Sequence, residues 1–347
     1  MSKTRLVTII CTCISAITLT GLVIWFLVAQ PWGGFVGGRG FMGFMGGMNI
    51  ENLTGEFQPA GSYNILPENI NTFDIDWVAG NVTIKPHDGA DIVVTEYAQR
   101  NLAQNERFEV NVSDDGTIAV NFVEGRGGTF RRMPPKRLEV LLPASIAQNL
   151  TALTVVTVSA DVNISDISAQ ELNTSSVSGR QGVSNITTET FTAGTTSGRK
   201  EISNVTAETF RAGSVSGRIT LESVVSDSVT VGSTSGALAL TNIRTGFLDT
   251  GTVSGTQDIS GALVHVDSNS TSGRVSVQSS IVPESLNIST VSGRVEVTVP
   301  DDGNPISVSH SSVSGRFSSQ LPVLMHGADA QFRISTTSGN INIYELR

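Results

Sequence analysis

The sequence has little cysteine, little charge and few aromatic residues. Only two cysteines occur among 347 residues, Cys11 and Cys13, and both lie in an N-terminal apolar run. Disulfides therefore cannot stabilise the rest of the chain, which must rely on its packed core. Charged residues make up 15% of the chain, the formal net charge is −9, and no basic cluster offsets this acidity. The composition argues against a nucleic-acid-binding protein.

The sequence also lacks a constellation of catalytic residues. Its four histidines do not have the spacing of zinc ligands: they are His87, His265, His310 and His326. A nucleophile elbow requires G-x-S-x-G in one copy, whereas Ser-Gly recurs here many times. We therefore expect no catalytic residue, metal or cofactor. A β-helical enzyme acting on glycans is the minor alternative, and it requires acidic or basic residues together on one face.

The abundant feature is a phrase, [Ser/Thr]-[Val/Thr]-Ser-Gly, that recurs nine times. Its glycines, which we interpret as structural turns with φ > 0, are Gly179, Gly198, Gly217, Gly236, Gly255, Gly273, Gly293, Gly315 and Gly339. The first five are evenly spaced, the later intervals are less regular and lengthen toward the C-terminus, and a degenerate copy ends at Ala160. A repeat of about 20 residues is typical of a solenoid.

Apolar residues recur at fixed distances after each glycine. They lie two and four residues on, as at Ile219 and Leu221, and seven and twelve residues on, as at Ile186 and Phe191. The alternation predicts two or three short strands in each repeat. Because so short a strand cannot bury its apolar face alone, successive repeats must stack. We predict an all-β fold, a parallel β-helix of about 19-residue coils over 151–347.

The N-terminal residues have a different character. Lys3 and Arg5 precede an uncharged run, 6–29, which as a helix would span about 36 Å, enough for a bilayer core. We predict a cytoplasmic tail over 1–5, a transmembrane helix over 6–29 and a Gly-rich linker over 30–63. The protein is then a single-pass protein of the cell membrane with an extracytoplasmic C-terminal domain. A cleaved signal peptide is the alternative.

Residues 64–150 show alternating apolar and polar positions, which predicts strands. Asp114-Asp115-Gly116, between two alternating runs, predicts a hairpin. We interpret the segment as an antiparallel N-terminal cap, since an uncapped solenoid exposes unpaired backbone. The loop over 125–136, with Arg137 next to it, is the most basic stretch, and we expect it to be exposed to solvent. Contact with anionic lipid headgroups or wall polymers is the alternative.

Arginine directly follows six of the repeated glycines. These residues are Arg180, Arg199, Arg218, Arg274, Arg294 and Arg316. Stacked coils would place them about 5 Å apart, as two groups of three. Such a ladder is a candidate site for an anionic ligand, either an envelope polymer or lipid headgroups. The alternative is a solvated edge that resists aggregation.

Together, the strand-rich lead-in over 73–84, the Leu-rich run at 138–143 and the Val-Ser-Gly-Arg phrases resemble the bacterial putative-adhesin family. These phrases lie at 177–180, 215–218, 291–294 and 313–316. The family is a domain of unknown function that includes proteins similar to the daptomycin-sensing surface protein. The resemblance extends over 64–347, and it implies a β-helical ectodomain with a role in surface interaction or envelope-stress sensing. It supplies no catalytic residues.

These observations predict a non-catalytic, membrane-anchored protein of the envelope surface that acts as an adhesin or as a sensor of envelope stress. Its expected partners are the membrane, an anionic polymer, lipid headgroups or a membrane protein, and not nucleic acid. The main alternative is a structural scaffold, a homo-oligomer that assembles through the ends of its solenoid.

Overall fold

The computed structural model describes residues 56–123 and 136–346. These residues contain 22 strands, one short helix α1 (Ala144–Ala147) and one 3₁₀ turn (Gln104–Glu106), so the predicted all-β class is confirmed. The predicted tail, transmembrane helix and most of the linker lie outside the described residues, as does most of the basic loop. None of the helices in the described part of the chain has the length and apolar character needed to cross a membrane.

The described residues form two compact units, 56–205 and 206–346. The strands of the N-terminal unit are β1 (Gln58–Ile65), β2 (Thr72–Trp77), β3 (Gly80–His87), β4 (Ile92–Ala98), β5 (Glu109–Val112), β6 (Thr117–Asn121), β7 (Lys136–Pro143), β8 (Leu150–Thr157), β9 (Asp161–Ser176) and β10 (Gln181–Thr195). Strand β11 (Lys200–Ser214) contributes residues to both units. The strands of the C-terminal unit are β12 (Ile219–Ser233), β13 (Leu238–Thr252), β14 (Gln257–Ser272), β15 (Val275–Ser279), β16 (Ser285–Ser292), β17 (Val295–Val299), β18 (Ile306–Ser314), β19 (Phe317–Ser319), β20 (Val323–Leu324), β21 (Gln331–Ser338) and β22 (Ile341–Glu345).

The central repeats each form one long bent strand, and the prediction of two or three short strands is wrong for them. Strand β10 is 15 residues long and pairs in parallel with β9, with Gln181 opposite Val162, the equivalent residue of the preceding repeat. Each strand bends at a residue with positive φ, Asp166 in β9 and Asn185 in β10. The pairing resumes after the bend because both strands turn at the same position. The predicted parallel stacking, one repeat on the next, is confirmed for these strands.

The predicted apolar columns form the core. In the N-terminal unit one column runs through five successive strands and is fully buried: Ile118, Phe73, Leu153, Leu172 and Phe191. In the C-terminal unit a buried column from another position of the coil, four residues after the repeated glycines, contains Leu221, Leu240, Ile259, Val277, Val297 and Ile343. Burial of such side chains contributes about 1.5–3 kcal/mol each, so these columns contribute substantially to the free energy that holds the coils together.

The coils of the N-terminal unit do not stack in chain order. Strand β2 lies between β6 and β8, and β3 lies between β7 and β9, with all four pairings parallel. The first coil of the chain, β2 and β3, is therefore inserted between the second and the third. The outer coil is β6 and β7.

Antiparallel strands cover this outer coil. Strand β4 pairs antiparallel with β7, and β1 continues the sheet beyond β4. Strand β5 forms a hairpin with β6, which confirms the turn predicted at Asp114-Asp115-Gly116. Residues 64–150 thus combine two coils of the parallel stack with antiparallel strands that cover its edge.

Lys136, which we placed in the exposed basic loop, is buried under this cover, and that expectation is wrong. Its Nζ lies 2.8 Å from Oε1 of Glu96, and the two side chains are 1% and 0% exposed. It also donates hydrogen bonds to the carbonyl oxygens of Glu106 and Val123 and lies 4.3 Å from the ring centroid of Phe122. Burial lowers the pKa of Lys136, and the carboxylate of Glu96 opposes that shift.

The C-terminal unit inserts its last coil in the same manner. Strand β21 lies between β16 and β18, and β22 lies between β17 and β19, again in parallel. The coil that contains Gly339 therefore separates the coil of Gly293 from that of Gly315. The outer coil is β18 and β19, which is not the last in the chain.

The repeated glycine is needed mainly because stacked corners approach each other closely. At Gly198, Gly236 and Gly293 an added Cβ would collide with the carbonyl oxygen of the corner glycine one coil earlier in the stack. Only Gly273 and Gly339 among the nine have φ > 0, so the left-handed turn that we predicted for all of them is wrong for seven. The small space between coils, rather than the turn, excludes a side chain.

In several repeats the first residue of the phrase is buried, and its hydroxyl group forms a hydrogen bond with the backbone of the corner glycine. The buried Ser176 hydroxyl accepts a hydrogen bond from the Gly179 backbone N–H at 2.9 Å, and Ser214 serves Gly217 in the same way at 2.7 Å. The serine before the glycine donates instead to the preceding coil, as Ser197 does to the carbonyl of Val177. Both hydroxyls therefore satisfy backbone groups, which explains the phrase structurally.

Candidate ligand-binding surfaces

The arginines of the predicted ladder are all exposed and lie directly after the coil corners. In the N-terminal unit Arg180 and Arg199 follow stacked corners, and Asp161 occupies the same position one coil before Arg180. The Asp161 carboxylate accepts a hydrogen bond from the Arg180 backbone N–H at 2.8 Å. This part of the ladder thus begins with an acid.

The C-terminal unit places Arg218, Arg274, Arg294 and Arg316 at equivalent corners. Because the last coil is inserted, Asn340 lies between Arg294 and Arg316 and accepts a hydrogen bond from the Arg316 backbone N–H at 3.0 Å. The predicted contiguous group of Arg274, Arg294 and Arg316 is therefore interrupted. The sequence could not show this, since the order of stacking differs from the order of the chain.

Neighbouring acids neutralise half of the ladder. Arg274 lies 2.7 Å from Asp258, while Arg199 and Arg294 lie 3.6 and 3.5 Å from the glutamates two residues after them. Within the described ranges no ion pair involves the other three, Arg180, Arg218 and Arg316. Exposed pairs of this kind contribute little to stability, typically about 0–1 kcal/mol.

A second ladder, which was not predicted, lies at the bend of five repeats, six residues after the corner residues Ala160, Gly179, Gly198, Gly217 and Gly236. Asn185 donates to Asp166 at 2.8 Å, Asn204 donates to Asn185 at 3.1 Å, and in the C-terminal unit Asn242 donates to Ser223 at 3.0 Å. All five have positive φ, which asparagine and aspartate tolerate better than most residues. The recurring Ser-Asn or Thr-Asn before an aliphatic residue was the available signal.

The N-terminal unit also carries a cleft that was not predicted. It has a volume of about 730 Å³ and is lined by segments from four strands and by Phe57. The side chains that line it include Tyr97, Arg137, Asn81 and Asp161, which lie opposite one another on β4, β7, β3 and β9. It therefore combines aromatic, cationic, amide and carboxylate groups on one outward face.

Hydrogen bonds fix the side chains of this cleft. The Tyr97 hydroxyl donates to Oε2 of Glu139 at 3.1 Å, and Lys85 approaches Oε1 of the same carboxylate at 3.0 Å. Burial, together with the bond to Glu139, raises the pKa of Tyr97, so this hydroxyl remains protonated at neutral pH. The guanidinium of Arg137 stacks on the Phe57 ring at 3.9 Å.

The histidines lie at separate places. His265 stacks on Phe247 and His310 stacks on Phe317, with ring centroids 4.8 and 4.0 Å apart. In the part of the chain that the structure describes, no group of three His, Cys, Asp or Glu residues is arranged to hold a metal ion.

Parallel strands paired one repeat apart, with a glycine at the corners between them, define a repeat protein of stacked β-coils. The chain belongs to the Toastrack DUF4097 family, whose model matches residues 70–344. The resemblance to an adhesin-like family of unknown function is thereby confirmed.

Several crystal structures are similar to this chain over most of their length. A putative adhesin from Parabacteroides distasonis is 12% identical, with a TM-score of 0.44, over 83% of this chain and 98% of that one. A putative lipid binding protein from the same species is 15% identical with the same score and coverage. A putative adhesin from Parabacteroides merdae is 11% identical, with a TM-score of 0.44, over 85% and 99% of the two chains. No curated relative matches the sequence.

Proposed function

We propose that the protein is a non-catalytic component of the cell envelope surface, anchored by residues 6–29, that binds an anionic envelope polymer. Membership of the Toastrack DUF4097 family, an adhesin-like family of unknown function, agrees with a role in surface interaction. The ligand is a phosphate- or carboxylate-rich chain, and binding to it serves adhesion or the sensing of envelope damage.

The observation that carries this proposal is the presence of three exposed arginines without an acid partner at equivalent corners, Arg180, Arg218 and Arg316. They extend from strand ends of the stacked coils, so the backbone does not have to be ordered when a ligand binds, and only the arginine side chains lose freedom. Arginine also forms bidentate hydrogen bonds with phosphate and carboxylate groups. Within the C-terminal unit, a repeating polyanion would contact several coils in succession.

Sedimentation with cell-wall material tests the proposal. Detergent-solubilised full-length protein is mixed with insoluble wall preparations that either retain or lack their anionic polymer, at low and at high salt. We expect binding only to the polymer-bearing wall, with a marked loss at high salt because charges at the surface are screened.

Matched variants distinguish binding by the arginine ladder from a general effect of the protein's positive charges. We expect R180S/R218S/R316S to bind about tenfold more weakly, since each arginine supplies charge-assisted hydrogen bonds. The control R211S/R244S/R333S changes the net charge equally at positions away from the corners. Equal weakening in both triple variants would contradict the ladder as the binding surface.

The scaffold alternative is favoured by one specific observation in the C-terminal unit. The outer coil, β18 and β19, pairs with β21 and β22 on one side, and its other side is the open one. On the open side the described residues pair only at the start of β18, where β20 covers Ile306 and Ser307. An open strand edge is a template for pairing with another chain. Light scattering of the full-length protein over a concentration series decides the matter: growing rods favour the scaffold, and a constant mass excludes it.

A further inference from the structure

We propose that the cleft between β4, β7, β3 and β9 of the N-terminal unit is a saccharide-binding site. This inference goes beyond the proposed function, because it uses none of the six arginines of the ladder and concerns a ligand recognised by its hydroxyl groups. The volume of about 730 Å³ lies within the range of small-ligand sites, about 300–1,000 Å³, and suits a short oligosaccharide.

Two polar rows cross the strands in register and form the floor of the cleft. The first contains Tyr97, Arg137, Asn81 and Asp161, and the second contains Glu139, Thr83 and Asn163. Neighbouring residues of a row are about one strand spacing apart, about 4.8 Å. The rows thus offer donors and acceptors at regular intervals along a surface that the parallel sheet holds fixed.

The charged groups are held in place before any ligand arrives. Glu139 is fixed by Tyr97 at 3.1 Å and by Lys85 at 3.0 Å, and Arg137 is fixed on the ring of Phe57. Groups that are ordered in advance lose less entropy on binding, which raises affinity.

Hydrogen-bonding capacity remains free in the cleft. Asn81 uses its side-chain oxygen to accept from Thr83 at 2.8 Å, which leaves its amide N–H groups to donate elsewhere. Asp161 uses Oδ1 to accept from the Arg180 backbone, and its second oxygen remains available. On the next strand Gly182 offers no side chain beside Asn163, so the end of the second row stays open.

This mixture of groups fits a hydroxyl-rich ligand better than an ionic or apolar one. The Glu139 and Asp161 carboxylates are balanced by Arg137 and Lys85, so the cleft offers a polyanion no excess positive charge. Leu138, the aliphatic residue of the lining, is only 1% exposed and offers little surface to an apolar ligand. Sugar hydroxyls both donate and accept, so they satisfy amides, carboxylates and guanidinium together. The tyrosine and phenylalanine rings provide the apolar contact that sugar rings also need.

Saturation-transfer NMR on the full-length protein in detergent micelles tests the site. The probes are neutral tetrasaccharides of N-acetylglucosamine, glucose and mannose, with tetragalacturonate as the acidic arm and a tetra-alanine peptide as the non-saccharide arm. We expect transfer to at least one neutral probe at millimolar concentration, and binding at least about tenfold weaker in N81A/N163A, which removes two sets of hydrogen bonds.

The matched control is N287A/N342A, which removes two amides from strands of the C-terminal unit, while circular dichroism checks that each variant is folded. Binding lost in N81A/N163A and kept in the control supports the site. Binding unaffected by N81A/N163A, no transfer to any neutral saccharide, or transfer to the peptide alone overturns it. Binding of tetragalacturonate alone that is lost in R180S/R218S/R316S also overturns it, although that outcome supports the arginine ladder.

Discussion

The two units protect the edge of their outer coil in different ways. In the N-terminal unit, β4 and β5 pair antiparallel with the outer coil, β7 and β6, and β1 extends the cover. In the C-terminal unit, the described residues on the open side of the outer coil pair only through β20. One edge is therefore closed by backbone pairing, while the other remains open to solvent.

The open edge replaces core residues with polar ones. His310 lies at the position of Ile334 and Ile288 in the inner coils, yet it is exposed. Phe317 stacks on His310, and Ser319 stands where inner coils have Val297 or Ile343. Polar residues on an edge discourage pairing with another chain. An edge of this fold therefore has either a covering strand or an inward face that tolerates water.

The closed edge relies on the buried pair of Lys136 and Glu96, and breaking this pair should have the largest effect. K136M leaves the Glu96 carboxylate buried without its cation, so we expect a loss of about 3–5 kcal/mol of unfolding free energy. The measurement is the urea midpoint of the full-length protein in detergent. The antiparallel cover should also become sensitive to proteolysis.

Two further variants check the cause of that loss. K136M/E96L removes both charges, and we expect it to recover part of the stability, because no unpaired charge stays buried. The recovery is incomplete because the carbonyl oxygens of Glu106 and Val123 and the Phe108 N–H lose their hydrogen-bond partners. K85M removes the exposed partner of Glu139 and should change stability by less than about 1 kcal/mol. A double variant as unstable as K136M would show that packing of the lysine, not its charge, holds the cover.

The inserted coil of each unit contains a glycine that lies close to the backbone of a neighbouring coil. Gly80 and Gly339 both have positive φ, and at both an added Cβ would collide with a carbonyl oxygen of the neighbouring coil, that of Lys136 or Gly293. We expect G80A and G339A each to cost about 3 kcal/mol, from strain and overpacking together. Thermal unfolding followed by circular dichroism measures both.

G303A is the matched control for these glycines. Gly303 also has positive φ, but no atom lies within 4 Å of an added Cβ. Its cost should be only that of backbone strain, about 1 kcal/mol. If all three variants lose the same stability, close approach between coils is not the reason for the corner glycines.

Much of the stacked core was predictable because it follows a local rule. A fixed distance from each glycine placed Ile186, Leu221 and Phe191 correctly in the core, since each coil repeats the environment of the last. The reason for the glycine was harder to predict, because the close contact at Gly198 is with Gly179, a full repeat earlier in the chain. The bend at Asn185 was not predicted, because we expected positive φ only at the repeated glycines.

The order of the coils and the cleft could not be read from the period. Nothing local distinguishes a coil that stacks on its predecessor from one that inserts between two others, as the coil of Gly339 does. The cleft joins side chains as distant in sequence as Phe57 and Asn163, and only the non-sequential pairing of β3 with β7 and β9 brings these segments together. The buried Lys136 was likewise counted among exposed basic residues.

Lys200 is a buried lysine at a position where other coils have glutamine, and it should make the stability of the fold depend on pH. It occupies the coil position of Gln181 and Gln257 and is fully buried, and burial lowers its pKa well below the ordinary value. At pH values between the lowered pKa and about 10.4, the unfolded chain holds a proton that the folded chain does not. Raising the pH therefore stabilises the fold, by up to about 1.4 kcal/mol per pH unit.

K200Q supplies the residue found at the equivalent positions and should remove this contribution. We expect the difference in unfolding free energy between wild type and K200Q to shrink as the pH rises through the window. Urea titrations of both proteins at several alkaline pH values measure the difference. The other titrating groups are common to both proteins, so their contributions cancel in it. A difference that stays constant with pH would show that Lys200 keeps its proton in the folded chain.

The smallest change in stability, but a visible change in behaviour, should come from the open edge. H310I places at the outer coil the residue found at the same position in the inner coils, Ile334 and Ile288, and so gives the edge an apolar inward face. We expect a stability change below about 1 kcal/mol, together with concentration-dependent self-association in sedimentation velocity. S309I adds the same side chain to the adjacent outward position and should associate less, because it does not make the edge resemble an inner coil. If both variants associate equally, general surface hydrophobicity and not the polar inward face of β18 governs the open edge.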